Sequence, residues 1–301
     1  FLKGLNLSWN QISDLSPISH MHSLHYLEIR HNLVNTLPAL KDLNELKYLD
    51  IAANRLKNIT NIKGASKLKL LNLAGNQITK IAEVSKLPNL TYLSIGNNPI
   101  ADLEAFSPSP TLKILNLDSN APFKYNLNIE RDSTKVLLTI ASSDEEKLWP
   151  EKLMYEDMDT YVLNSPKGRN YLNISDLNIA SLENLEALSL SGNIIDDITN
   201  IKSLKNLRYL DISSSFRRIK LNPIVLPDNL EFINLRGSLN IEEFKIDHLP
   251  KLRYLDLGNN NIEKPEKIVL TSNSLIILRL DNCNLKHAPE LIFPKLEVLS
   301  L

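Results

Sequence analysis

The sequence predicts an α/β repeat solenoid: short parallel strands stacked into one sheet, each followed by a turn and a compact return segment. Three observations carry that expectation. Asparagine returns every 22 residues, at Asn10, Asn32, Asn54, Asn76, Asn98 and Asn120. It stands in one recurring frame, read as LKGLNLSWNQI from Leu2, LKYLDIAANRL from Leu46, LKLLNLAGNQI from Leu68 and LTYLSIGNNPI from Leu90. The frame resumes from Leu185, Leu207, Leu230, Leu252, Leu275 and Leu296. Self-similarity at a fixed period of this length means one supersecondary unit stacked on copies of itself.

Each part of the repeat follows from its residues. Within LxL the leucines alternate with polar residues, the period of a half-buried strand. Leu27 and Ile29 therefore point inward, and Tyr26, Glu28 and Arg30 point to the other face. A strand this short cannot satisfy its backbone alone, so neighbouring copies must pair in parallel along the solenoid. Strands centred on Leu27, Leu49, Leu71, Leu93, Leu210 and Leu255 are expected in that one sheet. The asparagine ends each strand, and its amide both donates and accepts, so it can pair with backbone groups in its own and neighbouring turns. Apolar residues three apart follow, as in Ile12, Leu15, Ile18 and Met21. That spacing, with Pro17, Pro38 and Pro88, predicts short 3₁₀ or irregular returns on the convex side and strands on the concave side.

Residues 1–301 are expected to form one repeat domain, regular over 1–122 and 172–301. Between them the frame blurs. Residues 123–171 read either as degenerate repeats, with coils near Leu138 and Ile140 and near Tyr161 and Leu163, or as an insertion. The return of the same frame at Leu185 favours a continuous solenoid. Ser143 and Glu146 have capping-box spacing, predicting a short helix that ends near Pro150.

The frame LxxLxLxxNxI resembles the leucine-rich repeat family, and its length resembles the branch shared by bacterial internalins and the SDS22-like phosphatase regulators. The resemblance implies a curved horseshoe that binds a protein ligand through its concave face. NQISDLSPI, from Asn10 to Ile18, is similar to internalin repeats, whose asparagine precedes such a return. It implies a secreted or surface-displayed bacterial protein. The alternatives are an intracellular SDS22-like scaffold holding a phosphatase or other enzyme, and the recognition domain of a bacterial effector. Both ends of the chain lack polar caps, so a portion of a longer protein is expected.

An apolar content of 43% supports a large core, and a net charge of −1 gives no electrostatic reason to expect nucleic acid. No stretch approaches the ~20 apolar residues of a membrane span. Cys283 is the single cysteine and stands at the asparagine position of its repeat. Sequons at Asn6, Asn58, Asn89 and Asn173 are as frequent as an asparagine-rich chain produces by chance. No phosphate loop, nucleophile elbow or HExxH helix is present, so neither an enzyme nor a cofactor is expected.

The candidate site is the concave sheet face. Its third frame position carries Tyr26, Tyr48, Tyr92, Tyr209, Phe232 and Tyr254, suited to anchor a protein interface. Tyr48, Tyr92, Tyr209 and Tyr254 are expected to be substantially exposed. The fifth position adds Glu28, Asp50, Asp211 and Asp256, an acidic row suited to a partner carrying lysine or arginine, interrupted by Arg30, Arg236 and Arg279. Both rows also have a plain structural reading, aromatics favouring strands and polar residues a solvated face. His20, His22, His25 and His31 crowd one coil, but their positions do not converge as metal ligands must, so no metal is expected. Trp9 reads as an anchor or as packing against a neighbouring coil. Trp149 and Tyr155 mark the middle segment as the other place a partner could bind.

Overall fold

The structure is a computed structural model describing residues 2–100, 103, 106–118, 130–132, 135–137, 178–193, 195, 198–214, 219–220, 226–241, 244–246, 249–262, 268–270, 272–287 and 293–301. It divides into two compact units: Phe1–Asn120 with Asn170–Leu301, and Ala121–Arg169.

The first unit is the solenoid. Twelve strands of three residues each form its sheet: Gly4–Asn6, Tyr26–Glu28, Tyr48–Asp50, Leu70–Asn72, Tyr92–Ser94, Ile114–Asn116, Ala187–Ser189, Tyr209–Asp211, Phe232–Asn234, Tyr254–Asp256, Ile277–Arg279 and Val298–Ser300. Each pairs in parallel with its neighbours in that order. All six strands expected from the sequence are among them. The register sets Leu27 against Leu49, Leu49 against Leu71 and Leu71 against Leu93, so the leucines form continuous columns. Leu27, Leu49, Leu71, Leu93, Leu188, Leu210 and Ile233 are wholly buried. Burial of each such side chain stabilises the fold by about 1.5–3 kcal/mol, and a lone coil could not achieve it.

The asparagine column works as its chemistry suggests. Asn76 donates from Nδ2 to Ile51 O (3.0 Å) in the preceding coil and to Leu73 O (2.9 Å) in its own. Its Oδ1 accepts the Leu56 N–H at 3.0 Å. Asn32, Asn54 and Asn98 repeat the pattern, accepting from Ile12, Val34 and Ile78. Each of these four asparagines thus ties its turn to the turn before it.

The residue before each rung turns the chain through the left-handed region: His31 (φ 51°), Ala53 (53°), Gly75 (67°), Asn97 (53°), Gly192 (72°), Gly237 (63°) and Asn259 (57°). Glycine and asparagine tolerate this conformation; alanine and histidine are strained by it.

Returns in the first half are 3₁₀ turns, at Ser16–His20, Leu40–Asp42, Thr60–Gly64 and Ala82–Lys86. Two more follow at Ile179–Ser181 and Thr199–Ser203. Coils stack closely here, since a Cβ on Gly64 would sit 2.5 Å from Lys41 Cα. Later returns differ from the expectation. Ile219–Lys220, Leu239–Ile241 and Asn261–Ile262 are strands paired in parallel, as are Phe244–Ile246 and Ile268–Leu270. Each of these segments carries β-branched isoleucine, which favours extended backbone.

The sheet passes directly from the Ile114 strand to the Ala187 strand. Of the second unit, Glu130–Asp132 and Lys135–Leu137 are described and pair antiparallel. The expected helix near Pro150 and the coil near Tyr161 and Leu163 lie outside the described residues. Among the described residues, no helix is long and apolar enough to cross a membrane.

Replacing Asn76 by Ala leaves the Leu56 N–H without its partner and removes one of the two amide donors to the Ile51 carbonyl, and should destabilise the fold by about 1–3 kcal/mol. A lowered midpoint in thermal and urea unfolding checks it. Ala53→Gly should act oppositely, relieving left-handed strain of about 1–2 kcal/mol, partly offset by glycine's greater unfolded freedom.

Candidate functional site

The outer face of the sheet carries the predicted residues in rows, because identical frame positions fall on adjacent rungs. In the first half Tyr26 and Tyr48 sit side by side, ring centroids 5.7 Å apart. The Tyr48 hydroxyl donates to Glu28 Oε1 at 3.1 Å, and Asn6 Nδ2 donates to Glu28 Oε2 at 2.7 Å. Arg30 bridges to Asp50 at 2.6 Å, and Asn72 donates to the same carboxylate at 3.0 Å. In the second half Tyr209, Phe232 and Tyr254 stack face to face, with successive centroids 4.3 Å apart. Arg279 lies 6.0 Å from the Tyr254 ring. Arg236 joins Asp256 at 3.3 Å and Asp281 at 2.5 Å.

Two expectations need correction. Tyr48 and Tyr209 are not exposed: their relative exposures are 2% and 7%, and Phe232 is at 8%. Tyr26, Tyr92 and Tyr254 are half-buried. The rings lie along the sheet and cover one another, instead of standing out from it, since stacking across rungs removes apolar area from water. The acidic row is likewise engaged. Asp50, Asp211 and Asp256 each accept a backbone N–H two residues on, from Ala52, Ser213 and Gly258. They are Asx turns that end the strands. The remaining oxygens of Asp50 and Asp211 meet Arg30 and Asn234, while at Asp256 Arg236 shares the turn oxygen and the other oxygen accepts from the Tyr254 hydroxyl.

Asp118 was not singled out by its sequence position. It is buried between the two clusters, where Ser189 Oγ donates to it and the Ser191 N–H reaches it at 2.9 Å. Ser191 Oγ lies 3.0 Å from Ser213 Oγ, linking the group toward Asp211. The available signal was an acid at the seventh frame position, which holds Ala52, Ala74 and Gly96 in the preceding coils. Gly96 matters there, because a side chain would run into the Asp118 carbonyl.

The remaining candidates disperse. His22 contacts Asp42 O and His25 contacts Ser23 O, while His31 stacks on Trp9 with centroids 3.7 Å apart. Among the described residues, no group of three His, Cys, Asp or Glu is placed to hold a metal. Cys283 is buried at the rung position and its thiol points to Leu257 O at 3.1 Å, in the asparagine's place. Trp149 and Tyr155 lie outside the described residues.

Family models for leucine-rich repeats match residues 66–108, 1–15 and 248–265. The chain carries leucine-rich repeats, and its fold is a leucine-rich-repeat solenoid. Among solved structures it is similar to an internalin from Listeria monocytogenes, with TM-score 0.62 and 18% identity over 93% of this chain and 74% of that one. A leucine-rich-repeat protein from Leptospira interrogans aligns with TM-score 0.55 and 21% identity over 100% of this chain and 78% of that one. The ectodomain of a membrane receptor kinase from Arabidopsis thaliana, in complex with Casparian strip integrity factor 2, aligns with TM-score 0.52 and 19% identity over 93% of this chain and 32% of that one. The search of curated proteins found no match.

The electrostatics of the repeat face follow from its burial. Burial, then the charges of Asp50 and Glu28, push the Tyr48 phenol up. Burial works against the Arg30 charge, but Asp50 outweighs it and holds the guanidinium protonated. Asp118 is raised well above the usual carboxylate range by burial and then by Asp211, against the hydrogen bonds of Ser189 and Ser191. Asp211 is raised by burial, against hydrogen bonds from Ser213, Asn234 and Tyr209. An acid whose folded pKa is raised binds its proton more readily when folded. Its contribution to stability therefore falls as pH climbs from about 4 toward the folded value. Asp118→Asn should raise the melting temperature relative to wild type at neutral pH and lose that advantage near pH 4. Thermal melts across this range check it; a pH-independent difference would contradict the electrostatic cause.

Proposed function

We propose that this leucine-rich-repeat chain is a protein-binding module of a bacterial secreted or surface protein, engaging a protein ligand through the concave face of its sheet. The observation that carries the reading is the arrangement of that face. Tyr26, Tyr92 and Tyr254 remain half-exposed on rigid, register-fixed rungs, next to ordered charges at Glu28, Arg30, Arg236 and Asp281. Aromatic and arginine side chains held in place lose little freedom on binding and supply most of an interface's energy. The buried Tyr48, Tyr209 and Phe232, with Asp50, Asp211 and Asp256, serve this reading as the floor that fixes their neighbours. The similarity in fold to an internalin and to a receptor ectodomain in complex with a factor supports a recognition role and a place outside the bacterial cell.

The test compares wild type with Tyr26→Ala, Tyr92→Ala and Tyr254→Ala as immobilised baits for host-cell surface proteins. A specific partner should be retained by wild type and weakened more than tenfold by at least one substitution, about 1.4 kcal/mol or more, at nearly unchanged melting temperature. Lys202→Ala, in a return segment, should have no effect. Binding that survives all three tyrosine changes would place recognition elsewhere.

A further inference from the structure

The fifth frame position has a recurring duty, and Arg279 is a residue that cannot perform it. Asp50, Asn72, Asn116, Asp211, Asn234 and Asp256 each accept the backbone N–H two residues on, from Ala52, Ala74, Asp118, Ser213, Arg236 and Gly258. A guanidinium carries N–H donors and no acceptor, so Arg279 gives its turn nothing of the kind. It stands on the Ile277–Arg279 strand, in register between Asp256 and Ser300. Asp256 is buried, whereas Arg279 is exposed.

The groups around it are already engaged with one another. Tyr254 stacks on Phe232 with centroids 4.3 Å apart, and its hydroxyl donates to Asp256 Oδ2 at 3.3 Å. Asp256 Oδ1 accepts the Gly258 N–H at 2.8 Å and Arg236 at 3.3 Å. Arg236 also forks onto Asp281, reaching its two oxygens at 3.2 and 2.5 Å. Both nearby carboxylates are thus held by other donors. Arg236 is the foremost cause that holds the Asp281 carboxyl below its usual range, and Arg279 the least. Arg279 itself lies over the Tyr254 ring, 6.0 Å from the centroid, and among the described residues no carboxylate forms an ion pair with it. The ring backs the guanidinium without using its N–H donors.

We propose that Arg279 takes a side-chain carboxylate of the protein partner in a forked pair, with a neighbouring apolar residue of the partner laid on the half-exposed Tyr254. The proposal rests on the protein-binding reading of the sheet face and adds a specificity-determining residue and the group it selects. A planar guanidinium matches the two oxygens of a carboxylate, whereas a neutral amide offers it one. A phosphate brings up to two negative charges beside Asp256 and Asp281, so it is repelled more than a carboxylate that brings one. The aromatic row supplies the rest of the contact, since Tyr254 is fixed from behind by Phe232 and loses little freedom when covered.

The probe is an acetylated, amidated pentapeptide with glutamate at its centre and leucine or tyrosine on either side, titrated against the whole chain by calorimetry at about 20 mM salt. Companion probes carry glutamine for glutamate, glutamine with a free C-terminal carboxylate, or phosphoserine for glutamate. The glutamate peptide should bind about fivefold or more tightly than the glutamine peptide, and should shift the Arg279 Nε–H signal in nitrogen-labelled protein. Arg279→Gln should bring that ratio to about one, and Arg279→Lys should keep part of it, because an ammonium lacks the fork. Arg279→Asn should also abolish the preference without lowering the melting temperature, since asparagine can accept the turn N–H as Asn234 does. Arg253→Gln should leave the ratio unchanged. No binding of the glutamate peptide, or a ratio indifferent to Arg279, overturns the proposal. Tighter binding of the phosphoserine peptide, or of the C-terminal carboxylate, overturns it in favour of that anion. Glutamate and glutamine peptides bound alike, and both lost in Tyr254→Ala, overturn the carboxylate assignment while leaving the protein-binding reading of the face intact.

Discussion

The structure depends on satisfying the turn that ends each strand. A strand of three residues must reverse within a few residues while its leucines stay buried, which leaves carbonyl and amide groups inside the solenoid without water. One asparagine side chain resolves this by donating backward and accepting from the preceding coil, as Asn54 does with Ile29 O and the Val34 N–H. The leucine columns supply the driving force, but they stack in register only because the turns repeat identically. The left-handed residue before each rung belongs to the same device, since it aims the amide inward.

That regularity also builds the outer face. Once rungs are fixed, any residue type repeated every 22 positions becomes a row of touching side chains. Tyrosines cease to be isolated anchors and become a mutual stack, and carboxylates find arginine and asparagine from the next coil. The face is consequently more rigid and more neutral along its centre than its composition suggests.

How much was legible follows from this. The strand columns, the amide ladder and the 3₁₀ returns could be read because each depends on spacing within one repeat. The burial of Tyr48 and the engagement of Asp50 could not, because they depend on what stands one rung away and on which rotamer meets it. Reading the sequence as a stack of 22-residue lines would have paired Arg30 with Asp50, and Asn234 with Asp211. The paired strands at Leu239–Ile241 and Asn261–Ile262 escaped notice because apolar spacing was read with a period of three throughout, although isoleucine-rich returns favour extension. Asp118 was hidden because its neighbours in space, Ser189 and Ser191, lie more than three repeats away in sequence.

The substitution of the rung itself has a mechanical consequence. Through Asn98 each coil is stapled to the previous one by an amide that donates and accepts at once. At Ser238 the hydroxyl reaches Leu235 O in its own coil, and at Cys283 a weakly donating thiol takes the amide's place. In those later coils a second seam appears on the opposite side, where Leu239–Ile241 pairs with its neighbours. The first half is thus stapled by an unbroken run of amides through Asn98, whereas the second alternates amides at Asn193 and Asn260 with weaker donors at Ser238 and Cys283 and adds paired strands in its returns. A load that parts neighbouring turns therefore meets even resistance along the first half and uneven resistance along the second.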